Sequence, residues 1–147
     1  MSKTMVILMG LQGSGKSTFY MTHLAVDYVH VNLDTLRTRH QEKLLVDKCF
    51  SQGIDFAVDN TNPTRIDRER YIMLAKENGY RVIGYYMESK IKECIKRNSL
   101  REGRAKVPEK AIAATSNKLE IPSYDEGFDE LYYVKNDGKT MIVEKWR

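Results

Sequence analysis

The sequence predicts an α/β fold in which a parallel sheet carries helices on both faces. Two observations predict it. Short apolar runs alternate regularly with longer amphipathic stretches, the pattern of repeated strand–helix units. The first run, Thr4-Met-Val-Ile-Leu-Met9, is apolar without alternation, as a strand buried on both sides must be. The 147 residues suffice for one ordinary core, so a single domain is expected.

The elements follow in order. After the first strand a helix is expected from Gly15 or Lys16 to about Ala25, then a short strand over residues 27–31. Asp34 to Gln52 reads as one helix, with Leu36, Leu44, Leu45 and Cys49 near a common face and Gly53 just past its end. A third strand spans 54–59, and Asn60-Thr-Asn-Pro-Thr64 is a loop by composition. A helix from about Thr64 to Asn78 stops at Gly79, and Tyr80 to Met87 is a fourth strand. Ser89 is the expected cap of a helix reaching Leu100. Arg101 to Val107 reads as a mobile, arginine-bearing lid, and Pro108 opens a further helix ending near Leu119. Leu131 to Val134 is a core strand that Asn136-Asp-Gly-Lys139 turns back into a hairpin with residues 141–146.

Composition narrows the class. Hydrophobic residues are 41% and charged residues 30%, a globular mixture. No apolar run approaches the roughly 20 residues of a membrane span, and the start lacks an apolar stretch of signal-peptide length. Cys49 and Cys94 form no CxxC pair and are expected to be reduced thiols. A cytoplasmic protein is expected. The net charge of +4 is mild but unevenly spread. Residues 89–111 hold eight Lys or Arg against three Glu, and residues 119–134 hold five acids and no base. Such a basic run is either a solvated face or a holder of phosphate.

Gly10-Leu-Gln-Gly-Ser-Gly15-Lys16-Ser17 fits G-x-x-x-x-G-K-[ST] without departure, between a buried strand and a helix. The glycines Gly10, Gly13 and Gly15 let backbone N–H groups, Ser14's included, point at phosphate oxygens. The helix N-terminus, with Thr18 in its first turn, adds positive charge. Lys16 is expected on the β and γ phosphates and as a catalytic cation, and Ser17 on Mg²⁺. The motif predicts ATP binding. A guanine-reading N-K-x-D is missing, since Val134-Lys135-Asn136-Asp137 has valine in its first position, and no D-x-x-G follows the third strand. A compact kinase remains.

Asp34, just after the second strand, is the candidate general base, with a plain helix cap as its alternative. Arg37, three residues on, would share its helix face. It is either a phosphate anchor or a structural partner of Asp34. Asp59, Thr61 and Asn62, in the polar run that ends the third strand, are candidates for orienting substrate. Asp59 could also hold Mg²⁺-bound water, although Asp55 interrupts the apolar run expected of such a strand. Arg97, Arg101 and Arg104 form a basic set. One arginine on a transferring phosphoryl group is worth about 10³ to 10⁵ in rate, or about 4–7 kcal/mol.

These blocks in this order resemble the kinase domain of the 5′-hydroxyl polynucleotide kinase family, over residues 4 to 135. Asn32-Leu-Asp34-Thr-Leu-Arg37 is similar to its acceptor motif, which implies Asp34 as base and Arg37 as anchor for the acceptor's phosphate. Val58-Asp-Asn-Thr-Asn-Pro63 with Arg65 and Arg68 resembles its D-N-T-N-P element, in which Asp59 or Asn60 would take the acidic role. Lys96-Arg97-Asn98-Ser99 leading to Arg101 and Val107-Pro108 looks like its lid, which implies Arg97 and Arg101 on the ATP phosphates. Tyr124-Asp-Glu-Gly-Phe128 resembles a segment near the end of related kinases. The resemblance implies transfer of the γ-phosphate of ATP to a 5′-hydroxyl end of DNA or RNA. No D-x-D phosphatase motif occurs, so a stand-alone kinase is expected. A small-molecule kinase and a P-loop module acting through a partner are the other readings.

Overall fold

A computed structural model describes residues 3–103 and 106–147. Six strands form one sheet: β1 (Lys3–Met9), β2 (Val29–Val31), β3 (Phe56–Asp59), β4 (Tyr80–Met87), β5 (Glu130–Asn136) and β6 (Met141–Lys145). Their order is β2-β3-β1-β4-β5-β6. All neighbours are parallel except the β5–β6 hairpin. The expected parallel sheet with a terminal hairpin is therefore present.

β1 alternates its side chains between two buried layers. Met5, Ile7 and Met9 face a core with Val46, Cys49 and Phe50 of α3 (Arg39–Gln52) and Tyr71, Ile72 and Ala75 of α4 (Arg65–Glu77). Val6 and Leu8 face Phe19 of α1 (Lys16–Phe19) and Tyr20 and Leu24 of the π-helical turn that continues it. Helices thus cover both faces. A third apolar cluster joins Leu11 to Cys94 of α5 (Ile91–Ser99) and Ile112 of α6 (Glu109–Lys118).

Three local expectations change. The helix read from Asp34 to Gln52 is two: α2 (Leu33–Leu36) and α3, broken where Arg37 takes φ 74° and Thr38 caps α3 through Gln41 N–H. A non-glycine residue in this region costs of order 1–3 kcal/mol. The break removes the shared helix face expected for Asp34 and Arg37. It also rephases α3, so Leu44 is half exposed while Glu42 is buried. Ser89 caps no helix; its hydroxyl accepts from Leu11 N–H and donates to the Met87 carbonyl. The third strand begins at Phe56, so Asp59 closes an uninterrupted apolar run, and Asp55 lies outside it, accepting from Thr4 N–H.

No described helix is long and apolar enough to cross a membrane.

Candidate active site

The loop after β1 is held by the protein on all sides. Gly10 N–H donates to the Thr61 carbonyl at 3.0 Å. Asn136 donates to the Ser14 carbonyl at 3.2 Å, and Gln12 to the Thr115 hydroxyl at 3.1 Å. Gly13 has φ 81°, and a Cβ there would lie 2.3 Å from the Cys94 carbonyl oxygen, so loop and α5 approach closely only because the residue is glycine. Arg97 donates to the Gly13 carbonyl at 3.1 Å and to the Asn136 carbonyl at 3.3 Å. Arg97, expected on the ATP phosphates, thus also braces the loop from behind. Asn136, in the segment tested for guanine reading, is a buttress of the same loop.

Lys16 is buried, and its ammonium donates to the Gly10 and Leu11 carbonyls at 3.1 and 2.9 Å. Burial pushes its pKa down to about 8, against the opposing pull of Asp59, while the Arg101 charge lowers it further and Asp34 raises it. Asp59 is buried at the end of β3. Its Oδ2 accepts from the Ser17 hydroxyl at 2.8 Å and lies 2.6 Å from His30 Nε2, whose ring stacks on Tyr20. Burial works to raise this carboxyl, but the His30 contact, the Lys16 charge and the Ser17 hydroxyl outweigh it and hold it below its ordinary value. Asp59 Oδ1 has no hydrogen-bond partner among the described residues although it is buried. A hydroxyl beside an ionised carboxylate with one unused oxygen fits Mg²⁺ or its bound water. Asp59 thus stands beside the phosphate loop, which favours the Mg²⁺ reading of the two that the sequence offered.

The polar run after β3 divides its work. The Asn60 side-chain Oδ1 accepts from Leu33 N–H, and its side-chain amide donates to Glu42 at 2.8 Å. Thr61 is half-buried in the cleft wall. Asn62, at φ 44°, spends its amide on the Leu8 carbonyl at 2.8 Å, so its side chain shapes the loop. Behind the loop Arg68 is fully buried, pairs with Glu126 through two donors, and also donates to the Asn62 and Glu120 carbonyls.

A cleft of about 290 Å³ runs from Lys16 and Ser17 past Asp34 and Asn60–Pro63 to Arg39 and Arg70, with Arg101 and Val107 on its lid side. Asn32, not Asp34, caps α2: its side chain accepts from Thr35 N–H and donates to the Asp59 carbonyl. Among the described residues Asp34 forms no hydrogen bond or ion pair, so neither a capping role nor a structural pairing with Arg37 accounts for it. Arg37 is exposed and absent from the cleft lining, whereas Arg39 and Arg70 are present. Asn98, near the end of α5, donates to the Val107 carbonyl and accepts from Val107 N–H. Arg104, named with the lid, lies outside the described residues. Gly10, Gly15 and Thr18 occupy the loop and first turn as expected.

Sequence reasoning missed Glu42, Arg39 and Arg70. Both arginines and the Tyr71 hydroxyl converge on Glu42 Oε1, at 3.0, 3.4 and 2.6 Å. Burial and this contact push the Tyr71 pKa up to about 12, so the phenol is a donor at neutral pH. The i, i+3 spacing of Arg39 and Glu42 was visible, but only the break at Arg37 reveals that Glu42 turns inward.

A phosphate-binding loop after the central strand and an ionised acid at the end of the neighbouring strand β3 define a P-loop protein with the kinase fold. Comparison with known proteins takes this further. The chain matches the family described as AAA domain over residues 5–44 and 38–122, and it belongs to that family. It is 32% identical over 154 aligned positions to a protein of Acanthamoeba polyphaga mimivirus named as a bifunctional polynucleotide phosphatase/kinase, covering 99% of this chain and 37% of that protein. A bifunctional polynucleotide phosphatase/kinase of Schizosaccharomyces pombe is 27% identical over 128 positions, covering 84% of this chain and 31% of the relative. The chain thus spans about a third of the length of these curated relatives. A gluconokinase from Sinorhizobium meliloti 1021 shares the fold with a TM-score of 0.61 at 16% identity, over 90% of this chain and 82% of that one.

Proposed function

We propose that this chain is a kinase unit that transfers the γ-phosphate of ATP to a 5′-hydroxyl of DNA or RNA. The observation that carries the reading is the placement of Asp34. It stands in the wall of one cleft with Lys16, Ser17 and Arg101, without a structural partner among the described residues, and Arg39 and Arg70 line the same cleft. The names of the similar proteins, polynucleotide phosphatase/kinases, support a polynucleotide acceptor.

In this reading the loop N–H groups, Lys16 and Thr18 bind the triphosphate. Ser17 and Asp59 would hold Mg²⁺, which would supply charge neutralisation to the triphosphate. Asp34 accepts the proton of the attacking hydroxyl, and Arg101 gathers the equatorial oxygens of the moving phosphoryl group. Thr61 orients the acceptor sugar, while Asn62 acts through the loop it shapes. Arg37, on the rim, anchors the acceptor's 3′-phosphate, and Arg97 keeps Gly13 in place.

A second reading, a kinase of small alcohols, draws on the modest size of the cleft, about 290 Å³. One experiment separates the two: ATP-dependent phosphorylation of a nucleoside, its 3′-monophosphate and a sugar panel. A charge-assisted contact of about 1.5–3 kcal/mol makes the 3′-monophosphate the better acceptor by about one to two decades in kcat/KM. Arg37→Ala removes most of that advantage. Equal rates on nucleoside and 3′-monophosphate, or turnover of a sugar alone, favour the second reading.

A further inference from the structure

Beside the cleft, between α3 and α4, lies a groove of about 420 Å³. Its floor and walls include Val46, Tyr71 and Leu74, with His40 and Lys43 on the α3 rim. Leu74 is 39% exposed there, and Val46 and Tyr71 are core residues whose edges reach the groove. The groove and the cleft share two residues, Arg39 and Arg70.

That junction is built for an anion. The side chains of Arg39 and Arg70 are 58% and 52% exposed, yet each is held by the buried Glu42. Arg70 lies over the Tyr71 ring, 4.7 Å from its centroid, and donates to the Tyr71 hydroxyl at 3.0 Å. Arg39 donates to the same hydroxyl at 3.2 Å. Two guanidinium groups facing one carboxylate leave a net positive charge. Each guanidinium has five N–H donors, so most remain available toward the opening. Glu42 also accepts from Asn60, which fixes the position of the arginines relative to the acceptor loop.

We infer that the α3–α4 groove receives the second nucleoside of an oligonucleotide acceptor, with the linking phosphate, which Arg37 meets from the rim, passing between Arg39 and Arg70 and the base resting against Leu74 and Val46. This rests on the polynucleotide reading above. An apolar slot entered through a cationic gate matches a base that follows a phosphate. A sugar offers neither the apolar face nor the charge.

The test compares three acceptors with a free 5′-hydroxyl: a nucleoside 3′-monophosphate, a dinucleotide 3′-monophosphate, and the same dinucleotide with an abasic second residue. The ratio of kcat/KM values is taken within each protein, so that any general loss cancels. In the wild-type chain the dinucleotide exceeds the mononucleotide by about tenfold or more, the effect of one seated base, and the abasic form loses that gain. Leu74→Glu, at a half-exposed position that folding tolerates, returns the ratio to near one. Retention of the gain by the abasic acceptor or by Leu74→Glu overturns the groove as a base site. So does a ratio near one in the wild type with the mononucleotide still phosphorylated, and that outcome leaves the polynucleotide reading intact. No turnover of any nucleotide acceptor overturns both.

Discussion

The Ser17 hydroxyl donates to the Asp59 carboxylate across 2.8 Å, joining the first turn after the phosphate loop to the end of the neighbouring strand β3. The neighbouring ammonium of Lys16 is buried and depressed to about 8 from an ordinary 10.5. Triphosphate oxygens would restore its affinity for the proton. Nucleotide binding above about pH 8 is therefore expected to take up a proton, and affinity should fall by up to about tenfold per pH unit there. The unfolded chain binds more protons than the folded one between the two values, so unfolding free energy rises with pH across that window. Titration calorimetry of ATP at pH 7 to 9.5, in buffers of different ionisation heat, reads the uptake. A constant affinity with no proton exchanged contradicts the assignment.

Asp34→Asn should bind ATP as the wild type does and lose most phosphoryl transfer, by about 10² to 10⁴, because only proton acceptance is removed. Nucleotide affinity by calorimetry and turnover under saturating acceptor check the two halves. Near-normal turnover would leave Asp34 without a chemical role.

Arg101→Ala should reduce turnover by about 10³ to 10⁵, and Arg104→Ala by much less. Arg101 lines the cleft and its charge reaches Lys16. Single-turnover rates at saturating ATP separate chemistry from binding. Equal small losses would make the basic segment a solvated surface, and a larger loss at Arg104 would shift the role along the lid.

Arg68→Leu should destabilise the fold by about 3–5 kcal/mol, since it strands the buried Glu126 carboxylate and unpairs the Asn62 and Glu120 carbonyls. The double variant with Glu126→Leu should recover part of that loss. Urea midpoints at constant slope measure both. A double variant no more stable than the single one would show that the ion pair is not the source.

Much of this was legible beforehand, for physical reasons. The strand order of events follows from apolar runs, and the phosphate loop from glycines that no other residue can replace. Asp59 kept two readings, substrate and Mg²⁺-bound water, because Asp55 seemed to lie within the strand. The bracing role of Arg97 was not legible, because a guanidinium's chemistry does not say that it will also find two backbone carbonyls. Glu42 was invisible because a one-residue excursion to positive φ at Arg37 resets the phase of everything after it. Sequence periodicity carries no mark of such a break at an arginine. Ser89 and Asn32 show the same limit: cap and buttress have one chemistry, and only three-dimensional proximity distinguishes them.

The bonds that hold the phosphate loop have a kinetic meaning. Arg97, Asn136, Ser89 and the Thr61 carbonyl all come from outside the loop and fix its backbone before any ligand contributes. Ordering a residue costs about 1–2 kcal/mol, and for this segment that cost falls within folding. Nucleotide capture is then close to rigid docking, with an on-rate limited by orientation and charge steering. Loosening the scaffold at a distance, at Asn136 for instance, would slow capture without touching a single phosphate contact.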